Sequence, residues 1–490
     1  MSGELTLGRW IRDRARTTPS RVAVEFLGEE TTYAELDERS GRLAAGLLGA
    51  GLHPGDRVAT LTGTSPEHVV VFFACAKAGL VLLPLNWRLA PAELAYQLAD
   101  AEPAVLLASA EHAATASTLH ERVAGLEDLA AAAGGDELPG VADDDGLLLV
   151  YTSGTTGRPK GALLTHANCF WTNLSFDRVA GVADDDVDLS VLPQFHCGGW
   201  NVQPLLAWWK GARVVLEASF DAARTLELIA SARVTTMMGV PANYLFMANE
   251  PAFAGADLSS LRRAVVGGAP MPEALLETWH ERGVEIVQGY GLTEAAPNVL
   301  CLPPEDAARK RGFAGKPYPH VDVALRDPES GQLLEGSGEG ELVVRGPNVF
   351  AGYWRDAEAT AAAFADGWLL TGDLAARDEE GYYRIVGRLK DMVISGGENV
   401  YPAEIENVLH EHAAVAEAAV VGVPDERWGE ACLAFVVLAA GTDAGEDELL
   451  DFCRDRLARY KVPREVRFVE RLPRNALNKV AKDELLELVG

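Results

Sequence analysis

The sequence predicts an α/β fold in two units: a large N-terminal unit of parallel-rich sheets and a small α+β unit at the C-terminus. Three observations carry this. Bounded apolar runs alternate with helix-like segments from about residue 145. After about residue 320 the texture changes to short strands separated by Gly/Asp turns. And 490 residues are more than one packed core serves.

The elements follow in chain order. The N-terminal segment MSGELTLGRWIRDRARTTPS has no apolar stretch of the secretory kind, and Leu5, Leu7, Trp10 and Ile11 predict a helix docked on the body. The run over 69–85 carries Lys77, Gly79 and Pro84, so it reads as a buried helix entering a strand, not a membrane span. Alanine-rich stretches near 107–135 read as helix and surface linker. Next come the strand GLLLVY (146–151), a Gly/Thr loop and the helix-like LLTHANCFWTNL. DLSVLP, the apolar segment 200–209, ARVVLEA and the helical DAARTLELIASA follow. VTTMMGVP, LRRAVVGG and VEIVQGY each end in a small-residue turn. Buried strands alternating with helices imply a parallel sheet with crossover helices, whose ligands sit beyond the carboxyl ends of the strands.

VDVALRD, GELVVRG, GWLLTGD and GYYRIVGR predict a small antiparallel, barrel-like unit over about 320–387. Beyond the joint GRLKD (387–391), the helices PAEIENVLHEH and GEDELLDFCRDRLARY and the strands VAEAAVVGV, ACLAFVVL and EVRFVE form a separate unit. The predicted domains are therefore 1–389 and 390–490.

Composition narrows the partners. Hydrophobic residues at 48% and charged residues at 23% exclude a disordered or fibrous chain. Lys+Arg 43 against Asp+Glu 72 gives a net charge of −29, which repels nucleic-acid backbones and anionic lipid. The six cysteines form no CxxC pair and read as reduced thiols of a cytoplasmic protein. The expectation is a cytoplasmic protein acting on small molecules, with no nucleic-acid partner and no integral membrane segment. A homodimer is compatible with all of this.

The segment YTSGTTGRPKGA (151–162) carries the strongest local chemistry. Thr152, Ser153, Thr155 and Thr156 offer hydroxyls, Gly154 and Gly157 allow close backbone approach, and Lys160 supplies a cation. Directly after a strand, this is a phosphate cradle without being a Walker A loop. It resembles the phosphate-loop signature of the acyl-adenylate-forming superfamily. QGYGLTE (288–294), TGD (371–373), GRLKDMVISGGENVYPAEIE (387–406) and PRNALNK (473–479) follow in the order that family requires. The resemblance spans nearly the whole chain, and its texture is similar to bacterial medium- and long-chain fatty-acyl-CoA synthetases.

The resemblance implies ATP, Mg²⁺ and coenzyme A as reactants and cofactor, and it distributes roles over the motifs. Thr293 places a hydroxyl near the α-phosphate, and Glu294 offers a carboxylate to Mg²⁺. Gln288, Gly289 and Tyr290 belong to the nucleotide site, Tyr290 offering a face to adenine. Gly267, Gly268, Ala269 and Pro270 let the base lie against the backbone. Asp373 accepts from the ribose hydroxyls, helped by Arg388. Lys479 bridges the attacking carboxylate and the α-phosphate; Asn478 precedes it where the family commonly has Gly. Lys390 matches the hinge, and Ser395, Gly396 and Gly397 open a channel for the pantetheine arm of CoA. His196 stands where amino-acid-activating members place Asp, which selects a simple carboxylate. The acyl wall is assigned to His196, Trp200, Val240, Pro241, Gly267 and Gly291.

The implied reaction is ATP-dependent ligation of a fatty or related hydrophobic carboxylic acid to CoA through an acyl-adenylate. The alternatives are an acyl-AMP ligase serving a carrier protein, an enzyme of one half-reaction only, and a nucleotide-binding homologue without catalysis.

Overall fold

The computed structural model describes residues 3–125, 138–152, 158–395, 398–425, 428–474 and 480–489. Two large sheets form the N-terminal body. In one, six strands run parallel in the order Val22–Phe26, Arg213–Leu216, Val187–Ser190, Thr236–Gly239, Arg263–Val266 and Ile286–Gly291. Antiparallel strands close its two edges. In the other, Gly146–Thr152, Val81–Pro84, Arg57–Leu61, Val105–Ala108 and Val123–Gly125 are parallel, and Lys160–Thr165 and Gly352–Tyr353 are added antiparallel. All loops at the carboxyl ends of such strands are free of ladder bonds, so that is where side chains can face a ligand.

The local rules are visible in the helix Pro66–Ala78. Ser65 caps it by accepting from the His68 amide at 3.2 Å, Pro66 starts it, and Gly79 ends it in the left-handed region at φ 68°. Nearly every residue of the helix is buried, so it shows no polar stripe and passes into the buried strand Val81–Pro84. The N-terminal helix Gly8–Thr17 docks as its apolar residues require. Leu7, Trp10 and Ile11 are buried, and Trp10 stacks on Trp209 at 4.5 Å.

Two expectations need correction. Leu163 to Thr165, read as the start of a helix, belong to the strand Lys160–Thr165. Hairpin pairing to Gly146–Thr152 claims these residues, and Thr165 caps the helix His166–Ala180 that follows. The helix expected over 445–460 stops at Arg454. Its buried face, Leu449, Leu450 and Cys453, is continued only by Leu457 among polar residues.

The antiparallel unit is made of Asp322–Arg326, Leu333–Leu334, Gly338–Arg345, Phe364–Ala365, Trp368–Arg377 and Tyr383–Arg388. Among the described residues no strand pair closes it into a barrel. Its last pairing sets Asp373 directly opposite Arg388. From Val393 onward the chain forms its own sheet and its own cores around Leu449, Phe435 and Val420. Burying each such side chain contributes about 1.5–3 kcal/mol to holding this unit together. All six cysteines are free and buried. Among the described residues, no helix is long and apolar enough to cross a membrane.

Candidate active site

A cavity of about 720 Å³ opens at the carboxyl ends of both large sheets. From the six-stranded parallel array come Val191 to Pro193 and His196 to Gly199 after Val187–Ser190, Val240 after Thr236–Gly239, Gly267 and Gly268 after Arg263–Val266, and Leu292 and Thr293 after Ile286–Gly291. From the second sheet come Thr64, Trp87 and Arg88. The Arg88 guanidinium lies 5.1 Å from the Trp87 ring and 5.6 Å from Phe195, and burial lowers its pKa.

Glycine is compulsory at one lining position and leaves room at a second. A Cβ on Gly291 would stand 1.7 Å from the Pro297 carbonyl oxygen, and one on Gly267 would meet the Met238 methyl at 3.0 Å. Of the predicted acyl wall, His196, Val240, Gly267 and Gly291 line the cavity. Trp200 does not. It is fully buried, stacks on Phe72 at 4.6 Å and donates its indole N–H to the Gln194 carbonyl at 2.7 Å. The short helix Gly198–Asn201 turns it inward, so it supports the wall from behind. Pro241 begins the helix Pro241–Ala248 and is likewise outside the lining.

The predicted nucleotide residues fall into three groups. Tyr290 donates its hydroxyl to Asp373 Oδ2 at 2.5 Å, while Arg388 Nε sits 3.0 Å from Oδ1. Burial and the adjacent Asp373 carboxylate push the Tyr290 phenol upward, so it stays a neutral donor. Two side chains from two sheets are thereby fixed around one carboxylate. Gly289 lines the cavity, and Gly268, Ala269 and Pro270 form an exposed turn. Gln288 is different: it is buried, accepts from the Met271 amide and donates to the Phe313 carbonyl, each at 3.2 Å. Its amide ties that turn to the strand and is not turned to the cavity.

In the second group, Tyr353 donates to Glu294 Oε1 at 2.9 Å, and Lys160 Nζ lies 5.3 Å from the Tyr353 ring centroid. One tyrosine thus orders the predicted metal carboxylate beside the predicted phosphate lysine. Burial and Glu294 raise its pKa. Thr293 accepts a contact from Cys197 Sγ at 3.4 Å, and Thr152 Oγ1 is 3.4 Å from the Lys160 carbonyl. Among the described residues no three His, Cys, Asp or Glu side chains gather into a metal cluster. A single positioned carboxylate fits Mg²⁺, which keeps water and phosphate oxygens as most of its ligands.

The third group borders the joint. Lys390 is exposed in the turn Leu389–Asp391, and Ser395 is buried at the end of Val393–Ser395. Ser153, Gly154, Thr155, Thr156, Gly157, Gly396, Gly397, Asn478 and Lys479 lie outside the described residues. Sequence reasoning missed Thr64, Arg88, Cys197 and Tyr353. None stands within the five motifs, and only the chain path brings them to the site.

Residues 11–354 match the family described as AMP-binding enzyme, and residues 404–479 match the AMP-binding enzyme C-terminal domain. The chain belongs to the AMP-binding enzyme family, within the acyl-adenylate-forming superfamily. It is 46% identical over 488 residues to a feruloyl-CoA synthase of Amycolatopsis sp, covering 99% of each chain. It is 41% identical to an indoleacetate–CoA ligase of Aromatoleum aromaticum, covering 99% of this chain and 98% of that one. A long-chain-fatty-acid–CoA ligase of Mycobacterium tuberculosis is 38% identical over 98% of each. Among solved structures, ATP-bound MatB from Rhodopseudomonas palustris superposes with a TM-score of 0.93 at 36% identity, covering 100% and 99% of the two chains. The o-succinylbenzoate coenzyme A synthetase of Bacillus subtilis, in complex with ATP and magnesium ion, gives 0.89 at 35% identity, covering 97% and 99%.

Proposed function

We propose that this AMP-forming acid–CoA ligase takes a hydrophobic monocarboxylic acid with an aromatic head. The carrying observation is the cavity, which joins an apolar, glycine-floored end to the Tyr290–Asp373 pair through Tyr290 itself. Its volume suits a ring with a short side arm. The names of the feruloyl and indoleacetate relatives support the aromatic head over the plain fatty chain that the motif texture suggests.

In the first half-reaction, a carboxylate oxygen of the acid attacks the α-phosphorus of ATP and the bond to pyrophosphate breaks. Two anions approach each other, so cations and fixed donors must stabilise the transition state. Lys479, Lys160 and the Thr293 hydroxyl serve this end, and the Glu294 carboxylate, aligned by Tyr353, would hold Mg²⁺. Bound Mg²⁺ would neutralise phosphate charge. Asp373 presents its oxygens to the ribose, with Arg388 and Tyr290 keeping the carboxylate oriented. In the second half-reaction the CoA sulfur attacks the acyl carbon and the bond to AMP breaks. Lys390 is the hinge about which the C-terminal unit reorients between the two half-reactions, and Ser395, Gly396 and Gly397 border the pantetheine path in the second.

The test is pyrophosphate, AMP and thioester release with cinnamic, ferulic, indoleacetic, decanoic and malonic acids, each with and without CoA. CoA-dependent AMP release fastest with an aromatic acid supports the reading. Fastest turnover of decanoate or malonate overturns the aromatic head. Pyrophosphate without thioester reduces the enzyme to its first half-reaction.

A further inference from the structure

Two buried polar side chains have no task in the mechanism above. His68, in the first turn of the helix Pro66–Ala78, and Gln194, in the loop that carries His196, are each 2% exposed. The His68 ring packs edge-on against Trp200, with centroids 5.3 Å apart. Its Nε2 lies 3.0 Å from Thr60 Oγ1, and the Trp200 ring it packs on donates its indole N–H to the Gln194 carbonyl at 2.7 Å. Gln194 Oε1 accepts from the Ser65 amide at 3.2 Å. Neither His68 Nδ1 nor Gln194 Nε2 has a hydrogen-bond partner among the described residues.

A buried polar group is costly unless it is hydrogen-bonded, and apolar side chains of equal size would fill this space without that cost. What Gln194 adds is a hydrogen bond of fixed length between two elements, through the Ser65 amide, and His68 braces the same corner against Thr60 and Trp200. Thr60 lies in the strand Arg57–Leu61 and Ser65 caps the helix that follows it, whereas Gln194 follows Val187–Ser190 of the other sheet. One residue from Ser65 stands Thr64, and two residues from Gln194 stands His196; both line the cavity. Burial holds the His68 pKa down at about 3, so the ring is neutral at ordinary pH and the link does not loosen by titration.

We infer that His68 and Gln194 are positioning residues that clamp Thr64 and His196 across the cavity and thereby set its selectivity for the acid. The inference rests on the acid–CoA ligase reading and concerns the acid alone, not ATP.

The test compares Gln194→Met, His68→Phe and the double variant with the wild-type enzyme, using cinnamate, decanoate, ATP and CoA. Each single change is expected to raise KM for cinnamate about tenfold and to erode the preference between the two acids, while KM for ATP moves less than about twofold. The double variant should be no worse than either single one, because both remove one link. Additive losses, a parallel rise in KM for ATP, or an unchanged preference between the acids overturns the inference. Should a ring replacement prevent folding, Thr60→Val removes only the distant hydroxyl and is expected to shift cinnamate KM about threefold; no shift counts against the clamp. Nitrogen NMR of the imidazoles reads the pair without turnover: Gln194→Met must move the His68 ring signals. An unmoved signal overturns the pair, whereas absent thioester formation in the wild-type enzyme overturns only the ligase reading.

Discussion

The two ends of the site are built by opposite means. At the nucleotide end, Asp373, Tyr290 and Arg388 hold one another with short directional bonds, as do Glu294 and Tyr353. At the acid end, selectivity comes from shape: Val240, Gly267 and Gly291 contribute little beyond volume and its absence. Every family member meets the same ATP, so fixed charged groups suffice there. Acids differ in size, and a wall of small and apolar side chains can vary without touching the phosphate chemistry. Substitutions at the two ends should therefore fail differently.

The largest expected effect is at Lys479. Lys479→Ala should slow pyrophosphate release about 10²- to 10³-fold while leaving thioester formation from supplied acyl-adenylate intact. Equal loss of both steps, measured by quench-flow, would remove the division of labour assigned to this lysine. Next comes Asp373→Ala, which strips the carboxylate from between Tyr290 and Arg388. KM for ATP should rise about 10- to 100-fold with KM for the acid unmoved; a joint rise would merge the two ends into one.

Gly267→Val works at the other end. The new side chain must push against Met238, so turnover of bulky acids should drop about tenfold while small acids and ATP are little affected. Competition between indoleacetate and propionate reads this directly.

The smallest effect lies beneath the floor. Asp188 is fully buried in the strand feeding the His196 loop, with neither carboxyl oxygen hydrogen-bonded among the described residues. Burial, helped by Asp186, raises its pKa well above the ordinary carboxylate value. The folded protein keeps this proton while the unfolded chain releases it near pH 4, so stability falls as pH rises above that value until the folded carboxyl itself ionises. Asp188→Asn should flatten the dependence and gain about 1–3 kcal/mol near neutral pH. Urea unfolding at pH 5 and pH 8 decides it; parallel profiles for the two proteins would refute the assignment.

Legibility in the sequence followed the same division. Thr293, Glu294 and Asp373 sit in contiguous motifs, because a phosphate or ribose must be met by particular donors in a fixed local order. The buried helix over 66–78 was also readable, since a run that is apolar on every face has only one place to go. Trp200 was misplaced because an aromatic residue beside a cavity and one behind its wall look alike in sequence; only the inward turn of Gly198–Asn201 separates them. Gln288 shares a motif with Tyr290, yet strand alternation sends its amide to Met271 and Phe313.

What the sequence by itself determined is the class of chemistry and the order of elements, because motif spacing and apolar periodicity are short-range properties of the chain. The tertiary structure alone decided that Tyr353 meets Glu294 across 59 positions, that Arg88 and Thr64 reach the same cavity as His196, and that the Ser65 amide meets Gln194. These encounters depend on how two sheets lie against each other, a long-range outcome of packing that no local pattern encodes.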